Sequence, residues 1–150
     1  IISSFEDALS VCVVLTAFIP MLMDTGGNAG GQASVTVIRG LSLNEIEFKD
    51  MPKVLWKEFR VALICGITLA AANFVKLMLL DRVGLMVAIV VCLTLAASVV
   101  IAKLIGCILP MVAKKLGFDP AVMASPFITT IVDALSLLIY FYFATSILKL

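Results

Sequence analysis

The stretch that decides the fold is Gly84-Leu85-Met86-Val87-Ala88-Ile89-Val90-Val91-Cys92-Leu93-Thr94-Leu95-Ala96-Ala97-Ser98-Val99-Val100-Ile101-Ala102, which contains no charged side chain. A helix rises about 1.5 Å per residue, so about 20 apolar residues cross the hydrocarbon core of a bilayer. The rest of the chain agrees. Of its 150 residues, 63% are hydrophobic and 14% charged, and the mean hydropathy is +1.20. So little polar sequence cannot coat a soluble domain of this length. A net charge of +1 offers no basic surface for nucleic acid. The reading is an all-α, polytopic transmembrane helix bundle and not an enzyme.

Working outward, residues 61–80 form a second apolar run, interrupted only by Asn73 and Lys76. Residues 120–148 form a third, with Asp133 near its middle, and the central run extends over 84–113. The first run, 9–38, is read as one span because apolar character resumes at Ala33 after a polar, glycine-rich interval. Four spans result, and none alternates with period two as a transmembrane barrel requires. Arg39, Lys49, Lys53, Lys57 and Arg60 cluster in the link at 39–60, and Lys114 and Lys115 lie between the last two spans. Excess Lys and Arg marks these connections as cytoplasmic, which puts both ends of the chain outside. The opening Ile1-Ile2 lacks the basic region and cleavage site of a signal peptide, and a preceding segment is expected.

In the link, Asn44 is expected to cap a short helix carrying Glu45 and Glu47 in its first turn. Pro52 is expected to open a separate amphipathic helix, with Val54, Leu55, Trp56 and Phe59 at the membrane interface. The run Asp81-Arg82-Val83-Gly84 is short enough to make an antiparallel hairpin of the second and third spans. Cys12, Cys65, Cys92 and Cys107 have no metal-ligand spacing, and the chain has no His. They read as small apolar packing residues, with no disulfide framework and no zinc or copper site.

The informative residues are those a bilayer rejects. An Asp at the centre of a membrane helix costs about 2.5–3.5 kcal/mol on insertion scales. Ser125, Thr129 and Asp133 are spaced i, i+4, i+8, with Thr130, Ser136 and Tyr140 alongside, so they share one helix face. Ile131, Leu135 and Leu138 fall opposite. The first span repeats the design: Asp24, Asn28 and Gln32 are spaced i, i+4, i+8, and Thr36 extends the series. Gly26, Gly27, Gly30 and Gly31 are threaded through it. Such glycines either admit a close neighbouring helix or expose main-chain carbonyls to an aqueous cavity. Two stripes, each centred on a carboxylate, favour a shared aqueous path. Lys103 lies toward the cytoplasmic end of its span, where it is expected to snorkel to the interface.

Carboxylates, amides, hydroxyls and carbonyls are hard oxygen donors, suited to Mg²⁺ or Ca²⁺. Mg²⁺ keeps much of its water, so a wide site with few charges fits it best. Four short spans scarcely enclose a pore on their own. A symmetric dimer is therefore expected, with two Asp133 copies facing each other across its axis.

The run Pro20-Met21-Leu22-Met23-Asp24-Thr25-Gly26-Gly27-Asn28-Ala29-Gly30-Gly31-Gln32-Ala33-Ser34, followed by Val37-Ile38-Arg39-Gly40, resembles the signature of the MgtE family of magnesium channels. So do Gly117-Phe118-Asp119-Pro120-Ala121, then Ser125-Pro126-Phe127-Ile128-Thr129-Thr130-Ile131-Val132-Asp133, then Leu138-Ile139-Tyr140-Phe141. The resemblance implies a homodimer with five helices per subunit and a pore formed by the second and last. This chain would then supply helices two to five, without the first helix, the cytosolic amino-terminal domain or the CBS pair that closes the pore. It further implies that hydrated Mg²⁺ is the transported ion, bound by Asp133 with main-chain oxygens of Thr129, Gly27 and Gly30. Family members often carry Ala where Thr129 stands, a change that a main-chain ligand tolerates. Asn28, Asp24 and Ser125 carry over as lining or supporting residues, and Gln32 and Ser136 complete the lining.

The expectation is a Mg²⁺-selective channel domain in a bacterial or archaeal inner membrane. Its partners would be the bilayer, a second copy and cytosolic regulatory domains. One rival is a proton- or Na⁺-coupled carrier using Asp24 and Asp133. A remoter rival is an intramembrane aspartyl protease, prompted by the two aspartates, but Met23 stands where such enzymes expect Gly before the Asp. A plain membrane scaffold is the remaining alternative.

Overall fold

The computed structural model describes residues 13–122 and 126–149, and every regular element among them is helical. A 3-10 turn, Val13–Phe18, leads into α1, Ile19–Ser42. A second 3-10 turn, Phe48–Asp50, precedes α2, Met51–Lys76, which loosens into a π-helical turn at Leu77–Asp81. α3 is Leu85–Lys115 and α4 is Pro126–Leu148. Cys12, Ser125 and the start of the expected first span lie outside the described residues.

Three helical stretches are long and apolar enough to cross a membrane: Phe48–Asp81, Leu85–Lys115 and Pro126–Leu148. With 24 residues α1 is also long enough, at about 36 Å. Its Asp24, Asn28 and Gln32 and its four threaded glycines keep its hydropathy below that of the others. The chain is thus a polytopic membrane bundle with one helix of different character.

Two expectations about the link are corrected. Pro52 opens no separate interfacial helix, because α2 continues without a break from Met51 to Lys76. Proline in a first helical turn removes no intrahelical bond, and no breaker follows it. Nor does Asn44 cap a helix start. It takes φ 55° just beyond α1, where the Glu45 N–H donates to the Gly40 carbonyl at 2.9 Å. This is a helix C-terminal turn, whose left-handed position asparagine tolerates. The following 3-10 turn is capped at Glu47, whose N–H donates to Asp50 Oδ2 at 3.1 Å. The Glu47 carboxylate lies 2.7 Å from Lys49 Nζ, both side chains exposed.

α3 is the centre of the bundle and packs on all three other helices; α1 also packs on α4, while α2 rests mainly on α3. The α2–α3 hairpin turns where Arg82 takes φ 50°, and Lys76, not Arg82, pairs with Asp81 at 2.7 Å. The main core joins Leu15, Leu22, Val91, Leu95, Tyr140 and Phe141, and Tyr140 Oη donates to the Leu15 carbonyl at 2.9 Å. A second cluster joins Ala33, Val37 and Leu41 to Cys107 and Met111. At its edge Lys114 Nζ donates to the Leu41 carbonyl at 2.6 Å, near the C-terminus of α1. A cation suits that end of a helix, where the last carbonyls lack intrahelical partners.

Lys103 does not snorkel. Its residue is only 8% exposed, and its ammonium meets Glu58 Oε2 at 3.2 Å. The apolar stem of a lysine reaches an interface only when no nearer partner exists, and α2 provides one.

Candidate functional site

The α1–α4 crossing is made by small residues. A Cβ placed on Gly26 would lie 2.9 Å from Val132 Cγ1 and 3.0 Å from Ser136 Oγ, and one on Gly30 would lie 3.0 Å from Ile128 Cγ2. In a bilayer, where apolar surfaces gain little by leaving lipid, such close contact is what joins helices. It also sets the rotation of α4. With Ile128, Val132 and Ser136 turned into the crossing, Thr129 and Asp133 fall beside Gly27.

The result is a polar groove along α1. Its larger part, about 520 Å³, is lined by Gly27, Asn28, Gly31, Gln32, Val35, Thr36 and Thr129. A smaller part, about 150 Å³, is lined by Met23, Asp24, Gly27, Asn28, Thr129 and Asp133. Gly27, Asn28 and Thr129 belong to both and make them continuous. The position of an absent Gly27 Cβ lies 3.8 Å from Asp133 Oδ1 and 3.4 Å from Thr129 Cγ2. The carboxylate therefore stands over bare backbone.

Asp24, Asn28 and Gln32 are exposed along this face, and Asp133 is half-buried. Neither Asp24 nor Asp133 forms an ion pair among the described residues. Thr129 Oγ1 donates to the Pro126 carbonyl at 3.1 Å. No three His, Cys, Asp or Glu side chains gather to hold a metal ion among the described residues. One chain therefore offers an open surface of hard oxygen atoms rather than a closed cage. Such a surface suits a cation that keeps its water.

Two expected site residues lie elsewhere. Ser136 is 2% exposed and faces Gly26 within the crossing, so it does not line the groove of this chain. Gly30 is also absent from the lining. Its carbonyl abuts Gly106 of α3, and its bare side faces the Ala102 carbonyl and Ile128. The close α1–α3 approach covers that oxygen on the side of Gly106. Conversely, the groove uses Val35 and Met23, which the polar pattern did not single out, and Gly31, one of the four glycines threaded through that pattern.

Fold and site together define a polytopic membrane protein with a polar, acid-bearing groove between two helices. Residues 19–143 match the model of the MgtE family, described as divalent cation transporters. The chain is 37% identical over 150 residues to the magnesium transporter MgtE of Bacillus subtilis, covering 97% of this chain and 32% of that protein. It is 34% identical over 155 residues to the magnesium transporter MgtE of Thermus thermophilus, covering 99% and 33%. With the magnesium transporter MgtE of Enterococcus faecalis it shares 32% identity over 152 residues, again covering 99% and 33%. The chain belongs to the MgtE family, which is a family of transporters and not of enzymes. It spans about a third of the length of the curated relatives it matches.

Proposed function

We propose that this chain is the pore-forming domain of a Mg²⁺-selective channel, passing hydrated Mg²⁺ between α1 and α4 of two copies arranged about a two-fold axis. The observation that carries the reading is the meeting of both polar stripes in one groove, where the Asp133 carboxylate pairs with no ammonium among the described residues. The relatives named above are magnesium transporters, which supports the choice of ion. Asp133 holds the ion's water shell, joined by main-chain oxygens at Gly27 and Thr129. Asp24, Asn28 and Gln32 line the approach. Gly30 contributes through packing, not as a ligand.

The groove is open along one side, and a second copy closes it by bringing two Asp133 side chains together. Their mutual repulsion is relieved when a divalent cation lies between them. Influx needs no coupled reaction. Moving two charges through 100 mV releases about 4.6 kcal/mol, twice the single-charge value. In this reading the basic α1–α2 link faces the cytoplasm of a prokaryotic cell. The longer relatives leave room for a further helix and cytosolic regulatory domains.

The test is Mg²⁺ influx into liposomes carrying the protein. Asp133→Ala reduces influx to the level of empty vesicles while the protein elutes at the same size. Influx at the parent rate in that variant refutes the assignment. Influx that requires a proton or Na⁺ gradient replaces the channel with a coupled carrier.

A further inference from the structure

The buried Glu58–Lys103 pair takes no part in the groove, and its location is informative. The two side chains are 12% and 10% exposed and 3.2 Å apart. Removing two charges from water offsets most of their attraction, so an apolar pair of similar size would hold α2 to α3 as well. Glu58 heads a narrow contact stripe on α2 that continues through Ala62 and Gly66, where a Gly66 Cβ would lie 3.2 Å from the Ala96 carbonyl. On the other side of α3, at the level of Lys103, the Ala102 carbonyl would lie 3.0 Å from a Gly30 Cβ, and Gly106 abuts the Gly30 carbonyl. Gly30 sits within the groove-lining segment, between Asn28 and Gly31.

One turn of α3 is therefore held between an ion pair on one side and the backbone of the groove helix on the other. At this level the α1 contact brings backbone against backbone, and close-packed interiors transmit displacement. We propose that Glu58 and Lys103 are positioning residues for permeation: their pairing fixes α3 against α1 and so sets where the 27–32 segment presents its oxygens to the ion. This inference rests on the groove being the Mg²⁺ path.

The experiment measures Mg²⁺ influx into liposomes against Mg²⁺ concentration for the parent, Glu58→Gln, Lys103→Met and the swapped double variant Glu58→Lys/Lys103→Glu. Fewer folded copies lower the maximal rate alone, whereas a displaced lining changes the half-saturating concentration. Both single variants are expected to raise that concentration about tenfold, within the range known for residues acting at a distance. The swapped pair returns it toward the parent value. An unchanged half-saturating concentration overturns the proposal, as does a swapped variant no better than the singles. Shifts of opposite sign in the two singles also overturn it, since they indicate a direct effect of charge on the ion. Where a single variant fails to insert, Glu58→Asp and Lys103→Arg alter the reach of the pair while keeping its charges, and the same shift is expected. A parent protein without saturable influx refutes the groove reading itself, separately from the role of the pair.

Discussion

Glu58 and Asp133 are both carboxylates on helices long and apolar enough to cross a membrane, yet their surroundings differ in kind. Glu58 is enclosed between α2 and α3 with the Lys103 ammonium at 3.2 Å. Asp133 stands beside Gly27 at the edge of an open groove and forms no ion pair among the described residues. The first charge is neutralised inside the fold. The second requires water or a cation from outside. Burial alone therefore does not separate the two acids; what sets Asp133 apart is an accessible position with no ion-pair partner among the described residues, and on that the proposed role rests.

The contrast is tested first on stability. Lys103→Met leaves Glu58 enclosed without a counter-charge and is expected to cost about 3–5 kcal/mol. Asp133→Asn removes a charge with no ion-pair partner among the described residues, and its effect stays within about 0.5 kcal/mol. Denaturant unfolding in detergent measures both, and equal losses would break the comparison. A smaller effect separates the glycines of the two regions. Gly106→Ala drives a methyl group into the Gly30 carbonyl and is expected to cost about 1–3 kcal/mol. Gly31→Ala meets nothing within 4 Å and gains up to about 1 kcal/mol of helix propensity. Tyr140→Phe, outside both regions, loses the bond to the Leu15 carbonyl and about 0.5–1.5 kcal/mol, read as a modest fall in Tm.

Much of the architecture is legible in the chain itself. The uncharged run at 84–102 predicts a membrane helix and proves to lie in the central one, and the short Asp81–Gly84 connection predicts the α2–α3 hairpin. The four-residue spacing of Asp24, Asn28 and Gln32 puts them on one face, and that face is the groove. Periodicity fails where a neighbour decides the outcome. A helical wheel puts Ser136 near Asp133, but only the crossing at Gly26 determines that Ser136 turns inward. Likewise, no local pattern reveals that the Gly30 carbonyl is covered by Gly106. The Glu58–Lys103 pair joins positions 45 residues apart, and Glu58 lay in a segment read as link rather than span. The only local hint was the Glu58, Ala62, Gly66 series at four-residue intervals, a close-contact stripe headed by a charge.

Tyr140 and Lys114 tie down the two ends of the groove helix: one bonds the Leu15 carbonyl in the turn before α1, and the other bonds the Leu41 carbonyl in its last turn. Between these anchors lie all four of the glycines from Gly26 to Gly31, the least stiff part of the rod. A beam clamped at both ends and thinned at midspan bows at midspan. If the groove is the ion path as proposed, its widening falls in the stretch beside Asp133, between two anchored ends.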